Sequence, residues 1–320
     1  MRRLAFIAAL AVSAAPAAVR AEPLDLDLSR LGPPDSSVWT AVLSASGLTT
    51  AYDTNVLATQ SRQRFAVLST QMALAMTSAL LQPASTTGYS GFQVGLESAM
   101  ANVESSPIGA APPGFTAAAW PTQSGTQPSQ IFLPSVHVQK ALPFSLEFGG
   151  RLMWLNASDY YAAQGEAKWA VCEGFRYIPD IAFRAAYTRM LGVNNWDLSA
   201  TDLDVLVSVR FAIRGVMALT PYVAARLTYV NSSTERMDFA PNRSGGVAVT
   251  PTDRVSTEDA FPGFSPTLYR TTFGLRYSIW ALTAALEATY FSGSFGSSSV
   301  YQGATVPSSF SGAASVGASW

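Results

Sequence analysis

The sequence holds few of the residues that usually support catalysis or metal binding. It has one cysteine, Cys172, and one histidine, His137, among 320 residues. A single cysteine excludes an internal disulfide framework. A lone histidine without further histidine or cysteine ligands leaves no zinc site and no nucleophile with its base. We therefore expect no catalytic residue, no metal ligand and no cofactor, and we interpret His137 as a polar residue of the protein interior.

Charge is also scarce. Charged residues make up 13% of the chain, against roughly a quarter in typical soluble domains. Only Lys140 and Lys168 are lysines, and the other 18 basic residues are arginines, which suit paired interactions in partly buried places. No basic patch is present, so nucleic acid is not an expected partner.

Long apolar runs are missing after the amino terminus, although the mean hydropathy of +0.19 is slightly positive. Spanning helices are therefore not expected. Residues 1–21 have two early arginines, an apolar core and a Val-Arg-Ala ending, which is typical of a cleaved export signal. The alternative is a short membrane anchor, but the apolar run is too short to span a bilayer. Cleavage would leave 17 basic and 21 acidic residues, a net charge of −4.

From residue 91 onward, apolar side chains occupy alternate positions, which is the period of a β-strand with two different faces. In residues 143–155, Phe144, Leu146 and Phe148 share one face, while Glu147 and Arg151 lie on the other. The alternation predicts ten strands, at about 91–103, 131–139, 143–155, 159–171, 181–190, 201–214, 218–231, 267–279, 281–292 and 308–320.

The connections between these strands alternate in length. Three of the four even-numbered connections are tight, whereas the first, fifth and seventh are long and the ninth is moderately long. This parity is typical of an up-and-down barrel in an outer membrane. An even strand count returns the chain to the side where it started, so we expect both ends of the barrel, including Trp320, on the periplasmic side.

Aromatic residues fall at the two ends of the predicted strands, as the interfacial belts of a membrane barrel require. Phe144, Trp169, Phe183, Phe211, Tyr277 and Trp320 belong to the predicted periplasmic belt, and Trp154, Tyr161, Tyr229, Tyr269 and Tyr290 to the opposite one. Valine, leucine and alanine dominate between them, which matches a hydrocarbon band about 25 Å tall.

Charged residues take the opposite parity and should face the lumen, because an arginine or lysine facing lipid costs about 2–4 kcal/mol near the midplane. They are Glu97, Glu147, Arg151, Glu166, Lys168, Arg184, Asp202, Asp204, Arg210, Arg214, Arg226, Arg270, Arg276 and Glu287. Such residues either form a network that plugs the lumen or line a path for solutes. A wall of ten strands favours the plug, because open pores appear near about sixteen strands.

Before residue 91 the pattern changes to that of helices. A short helix should begin at Asp35 or Ser36 and stop at Gly47. A longer one should run from about residue 53 to 81, with an apolar stripe of Leu68, Met72, Met76 and Leu80 every four residues. The alternative is two further strands. We interpret residues 22–90 as a helical plug or periplasmic segment and residues 91–320 as the barrel.

With these features the chain resembles Gram-negative outer-membrane β-barrel proteins over about residues 91–320. The fold class is therefore all-β, an antiparallel up-and-down transmembrane barrel of about ten strands, or twelve to fourteen if the helices or long loops hide further strands. In that class the last strand and its terminal aromatic residue form the signal for the barrel-assembly machinery, which implies such a role for Phe310, Val316 and Trp320. The preceding helices are similar to the hatch of long-chain fatty-acid transporters, whose barrels have more strands.

The resemblance concerns architecture and location, and it leaves the activity open. We expect an outer-membrane channel or transporter for small or hydrophobic solutes. A non-conducting structural or surface-interaction barrel, with the loops at 104–130 and 232–266 as contact sites, is the alternative. An outer-membrane enzyme that uses His137 ranks third. The expected partners are outer-membrane lipids, the assembly machinery and a small solute.

Overall fold

A computed structural model describes residues 22–48, 52–103, 106–125, 127–175, 177–213, 216–240, 257–295 and 308–320. The predicted export signal at residues 1–21 and the predicted lumen residue Arg214 lie outside these ranges.

Ten antiparallel strands form the body of the protein, and their positions confirm the alternation seen in the sequence. They are β1 Phe92–Asn102, β2 Gln130–Leu142, β3 Leu146–Trp154, β4 Tyr161–Cys172, β5 Asp180–Leu191, β6 Trp196–Ser208 with a continuation at Phe211–Ile213, β7 Met217–Thr234, β8 Thr267–Ile279, β9 Leu282–Phe295 and β10 Ser309–Ser319. A further two-residue ladder joins Met237–Asp238 to Glu258–Asp259.

The sheet closes on itself. Each strand pairs with the next along the chain, and β10 pairs with β1 from Gln93↔Ser319 to Ala101↔Ser311. This closed barrel confirms the predicted count of ten strands, and the alternative of twelve to fourteen is wrong. Closure satisfies every strand edge, which a β-structure inside a bilayer requires.

The two faces of the wall differ in chemistry at alternate positions. In β5, the side chains of Phe183 and Tyr187 are exposed on the outside, whereas Arg184 and Thr188 are buried inside. Across the outer face Trp154 pairs with Tyr161, and Trp169 pairs with Phe183. The apolar outer face and its aromatic ends are those of a barrel that meets lipid.

The two ends of the barrel carry different connections. The "long-loop mouth" carries the connections at 103–129, 155–160, 192–195, 235–266 and 296–308. The "short-turn mouth" carries those at 143–145, 173–179, 214–216 and 280–281, together with Trp320. The fifth connection was predicted to be long and spans only 192–195, because β6 begins at Trp196 and its first residues pair with the end of β7.

Two helices precede the barrel, as predicted. Helix α1 is Ser36–Ala45, and helix α2 is Thr54–Met76. The side chains of Asp35 and Asp53 cap them by accepting hydrogen bonds from backbone N–H groups of the first turn. The alternative of two further strands is wrong. Among the described residues, no helix is long and apolar enough to cross a membrane.

Helix α2 ends at Met76, five residues before the predicted end at 81. The carbonyl oxygens of Thr77 and Ala79 accept hydrogen bonds from Arg270 and Arg151 at 2.8 and 2.7 Å. These side chains satisfy backbone groups that would otherwise continue the helical ladder. The chain then continues through the lumen to β1 without forming a helix or a strand.

The amino-terminal segment lies at the long-loop mouth. The backbone N–H of Leu24 donates to Ala157 O at 3.0 Å, and that of Asp27 donates to Pro121 O at 2.8 Å. From there α2 enters the barrel. The chain therefore crosses the lumen from the long-loop mouth to the short-turn mouth before the first strand begins.

Candidate functional site: the filled lumen

Helix α2 fills the half of the lumen near the long-loop mouth with apolar side chains. Phe65 stacks on Phe261 with ring centroids 4.5 Å apart, and it also packs against Trp196 at 6.3 Å. Leu68 and Met72, from the predicted stripe, are fully buried in the same core. This half of the barrel is packed like the interior of a soluble domain, and we call it the "apolar layer".

One charge lies at the outer edge of the apolar layer. The guanidinium of Arg64 donates to the carbonyl oxygens of Ile108 and Ala110, both at 2.8 Å, and of Leu31 at 3.2 Å. Burial lowers the pKa of Arg64 to about 10, so the side chain stays charged at neutral pH. These bonds join α2 to the first long connection and to the amino-terminal segment.

The half of the lumen near the short-turn mouth is filled by residues 77–88, which we call the "strap". Three arginines bind its first carbonyl oxygens, with Arg270 on Thr77 at 2.8 Å, Arg226 on Ser78 at 3.3 Å and Arg151 on Ala79 at 2.7 Å. They project from β8, β7 and β3. The strap is therefore held by its backbone from several sides of the wall.

The carboxylate of Glu287 binds the part of the strap that follows Ala79. The backbone N–H groups of Leu80 and Leu81 both donate to Glu287, at 3.0 and 2.6 Å. Leu81 has a φ of +55°, a left-handed conformation that turns two successive N–H groups toward one anion. Tyr222 also donates its hydroxyl to Glu287 at 2.8 Å.

The rest of the strap is bound in the same way. Lys168 donates to Ser85 O at 3.1 Å, the N–H of Ala84 donates to Ser208 Oγ at 3.1 Å, and that of Thr87 donates to Glu147 at 2.9 Å. Gln82 bonds Glu166 and Gln139 through its side chain, at 2.9 and 2.8 Å. In all, side chains from seven of the ten strands, namely β2, β3, β4, β6, β7, β8 and β9, contact the strap.

Most of the charged side chains around the strap are also paired with one another. The ion pairs are Arg151–Glu97 at 2.7 Å, Lys168–Glu147 at 2.7 Å, Arg184–Glu166 at 2.5 Å, Arg184–Asp204, Arg226–Asp204 at 3.0 Å and Arg270–Asp202 at 2.7 Å. Each pair joins different strands, so the network ties the wall together. Pairing is what makes buried charge tolerable, because an isolated buried ion costs several kcal/mol, of order 20 in the ideal limit.

His137 lies inside this network. Its Nδ1 is 2.8 Å from Glu97 and its Nε2 is 3.0 Å from Glu166, and the residue is 3% exposed. Both ring nitrogens are thus engaged by carboxylates. Cys172 is half-buried at the end of β4. Within the described ranges, no group of three or more metal-binding side chains is placed to hold an ion.

The structure brings most of the predicted lumen residues together. Eleven are buried inside the barrel, namely Glu97, Glu147, Arg151, Glu166, Lys168, Arg184, Asp202, Asp204, Arg226, Arg270 and Glu287. Arg276 is half-buried and donates to Gln93 at 2.6 Å.

Arg210 differs from the prediction, because it is exposed. It lies between the two parts of β6, opposite the region of Pro221, which has no N–H to complete the ladder. This position is at the short-turn mouth.

The predicted assembly residues lie on the outer face. Phe310, Val316 and Trp320 are all exposed. Trp320 closes the barrel by exchanging two backbone hydrogen bonds with Phe92, at 2.8 and 2.9 Å, and the two rings are 5.1 Å apart. Their role as an assembly signal stays a prediction.

Sequence reasoning missed the strap as a binding partner of the lumen charges. The available signal was the complete lack of charged residues between Arg64 and Glu97, beside a barrel with many inward charges. The polar residues Gln139, Ser208 and Tyr222 were also missed, because they carry no charge and fit any inward position.

The fold and the filled lumen define a class, that of closed ten-stranded antiparallel β-barrels with an internal plug. The fold is similar to the amino-terminal barrel domain of Pseudomonas aeruginosa OprF, with 12% identity, a TM-score of 0.31, and coverage of 73% of this chain and 99% of that chain. It is also similar to Neisserial surface protein A, with 12% identity, a TM-score of 0.28, and coverage of 71% and 95%.

A third similar structure is Ail, the attachment invasion locus protein of Yersinia pestis, with 10% identity, a TM-score of 0.28, and coverage of 73% and 100%. Neither a protein-family model nor a curated protein matches the sequence.

Proposed function

We propose that this chain is an outer-membrane barrel that does not conduct solutes in its resting state, and that it acts as a structural or surface-interaction protein through its long-loop mouth. The observation that carries the proposal is the strap, which is hydrogen-bonded by side chains from seven strands, six of which bind its backbone. Solute passage would require breaking many of these bonds at once, and each lost bond would leave a buried polar group unsatisfied.

The long-loop mouth supports a role in contact. The amino-terminal segment and the loop residues around Asp159 and Arg236 meet there and surround a cavity of about 580 Å³. Loops held by a rigid scaffold are where binding functions concentrate. The longest connection at the short-turn mouth, at 173–179, is much shorter than the connections at 103–129 and 235–266.

The expected location and partners are part of the proposal. The apolar outer face supports insertion among outer-membrane lipids, after export directed by residues 1–21. The exposed aromatic end of β10 supports recognition by the barrel-assembly machinery. No nucleic acid is expected.

The proposal includes no catalysis and no cofactor. In support, His137 is buried and both of its ring nitrogens face carboxylates, so it is not presented to a substrate. Loss of a hydrolytic activity in a His137→Ala variant would overturn this part of the proposal.

A gated channel or transporter for small or hydrophobic solutes is the second candidate. One observation favours it. The strap has no charged side chain and is held by charged groups of the wall, which would line a polar path if the strap moved away. In this case the plug would act as a gate.

Single-channel recording in planar bilayers separates the two candidates. Full-length protein should give no stepwise current, because the strap fills the lumen. The comparison is a chain without residues 22–85, in which the plug is missing. Stepwise currents from the full-length protein would contradict the proposal, and currents that appear only after the deletion would support the strap as the barrier.

A further inference from the structure

The amino-terminal segment is built into the long-loop mouth. Asp25 accepts a hydrogen bond from Gln123 N at its carbonyl oxygen, at 2.8 Å, and Leu26 forms a β-bridge with Thr122. Tyr160 binds Leu26 from the opposite side, since its hydroxyl accepts from Leu26 N at 2.8 Å. Residues from separate connections therefore fix this segment in place.

A tight turn lies at the start of the segment. The N–H of Asp25 donates to Glu22 O at 3.0 Å, and Glu22 N in turn donates to the Asp25 carboxylate at 2.8 Å. Asp25 is 8% exposed. Its second oxygen accepts from the backbone N–H of Asp159 at 3.2 Å. Both oxygens of this buried carboxylate are thus bound by backbone nitrogen atoms.

The surroundings of Asp25 are negative. The cavity of about 580 Å³ beside it is also lined by Asp27, Asp159 and Asp238, with Arg236 as the basic residue. A buried carboxylate among other carboxylates is costly unless a cation pairs with it. A free amino group on Glu22 would be protonated and would supply that cation. Its nitrogen atom already donates a hydrogen bond to the Asp25 carboxylate.

We propose that removal of residues 1–21 creates an ammonium group on Glu22 that pairs with Asp25, and that this pair fixes the mature amino terminus at the long-loop mouth. The export signal peptidase would hydrolyse the Ala21–Glu22 bond with one water, leaving a carboxylate on Ala21 and the ammonium on Glu22. The inference rests on the predicted cleavage and goes beyond the proposed function.

The proposal has a topological consequence. The barrel ends at Trp320 in the short-turn mouth, and β1 starts beside it. The amino terminus lies at the other mouth, so the two ends of the mature chain face opposite sides of the membrane although the strand count is even.

Amine reactivity tests the ion pair. The mature protein would contain only three amines, namely the Glu22 amino group, Lys140 and Lys168. Purified protein in lipid vesicles is acetylated briefly near neutral pH. Mass spectrometry first identifies the amino-terminal residue of the mature chain. It then compares the extent of acetylation at that amino group with the extent at Lys140. Asp25→Asn should raise the relative rate at Glu22 about tenfold, equivalent to about 1.4 kcal/mol.

Asp27→Asn is the matched control, because it removes a carboxylate from the same cavity while leaving Asp25 in place. Its relative acetylation rate should match that of the wild type. A mature chain that begins elsewhere than Glu22 would overturn the proposal, as would equal rates in Asp25→Asn and wild-type protein.

Cysteine labelling tests the topology without reference to amines. In a Cys172→Ser background, three exposed positions are replaced in separate chains, giving Ser44→Cys in α1, Asn195→Cys at the long-loop mouth and Ser90→Cys at the short-turn mouth. A membrane-impermeant maleimide is applied to intact cells. Ser44→Cys should react as Asn195→Cys does and differ from Ser90→Cys. If the extent of labelling of Ser44→Cys matched that of Ser90→Cys instead, the proposed topology would be overturned.

Discussion

The apolar layer and the strap region fill the same lumen by different means. In the apolar layer, α2 satisfies its own backbone and presents side chains such as Phe65 and Leu68 to the wall. In the strap region, the chain leaves the helix, and its backbone is satisfied by charged side chains of the wall. The stability of the apolar layer depends on close packing of side chains, whereas the stability of the strap region depends on ion pairs and hydrogen bonds.

This difference shows what each region tolerates. An apolar core loses stability in proportion to the volume removed. A buried polar network loses most when one partner remains without the other, because the remaining charge has been desolvated without compensation. Substitutions in the two regions should therefore lower the free energy of unfolding for different reasons and by different amounts.

The largest effect is expected at Arg184 in the polar network. Its guanidinium pairs with both Glu166 and Asp204, all of them buried. Arg184→Met should lower the free energy of unfolding by about 3–5 kcal/mol, because two carboxylates lose their cation. Urea unfolding in lipid vesicles measures this.

The matched control for that substitution is Arg189→Met. Arg189 pairs with Asp197 at 3.2 Å, but both side chains are 55% exposed. Its loss should be below about 1 kcal/mol. Equal losses in the two variants would contradict the view that the network stabilises the barrel through buried pairs.

A smaller effect is expected in the apolar layer. Leu68 is fully buried in α2, and Leu68→Ala should cost about 3 kcal/mol through lost burial and the cavity left behind. Leu96→Ala removes the same atoms from the outer face, where the side chain is 67% exposed and lipid can fill the space. The same urea titration should give a clearly smaller loss for Leu96→Ala, and a similar one would argue against a packed lumen.

The strap itself should respond more weakly to a single substitution. Glu287→Gln keeps one acceptor oxygen for the N–H groups of Leu80 and Leu81 but removes the charge. We expect a loss of about 2 kcal/mol, the range for hydrogen bonds to charged groups. Glu173→Gln, at the partly buried contact with Thr86, should cost less. The reverse order would indicate that the strap is anchored at its end and not along its length.

A substitution on the outer face should have the smallest effect on the stability of the filled lumen. Trp320→Asp should reduce the amount of barrel inserted into membranes, because the terminal aromatic residue belongs to the predicted assembly signal. The fraction that does fold should keep wild-type stability in urea. Insertion at the wild-type level would count against the predicted role of β10 in assembly.

The sequence predicts the wall of the barrel better than its contents, for a physical reason. Lipid forces each strand to alternate, so residues such as Phe183 and Arg184 reveal their faces without knowledge of their neighbours. The sequence also predicts where α1 and α2 begin, because the capping residues Asp35 and Asp53 mark these starts locally. These signals lie within a few residues of the features they predict.

The contents of the lumen depend on partners far apart in sequence. Helix α2 was predicted to reach residue 81 and stops at Met76 because Arg151 and Arg270 bind the carbonyl oxygens that follow. No local pattern encodes that competition. The mouth at which residues 22–48 lie was also not predictable, since a helical pattern does not specify the direction in which a plug enters a barrel.

Hydrogen exchange of the strap tests the central claim most directly. In lipid vesicles, the amide hydrogens of Leu80, Leu81 and Ala84, which donate to Glu287 and Ser208, should exchange as slowly as those of the barrel strands. The amide of Tyr89, whose side chain is 83% exposed, serves as the fast reference. Strap amides that exchange as fast as Tyr89 would contradict a lumen closed by residues 77–88.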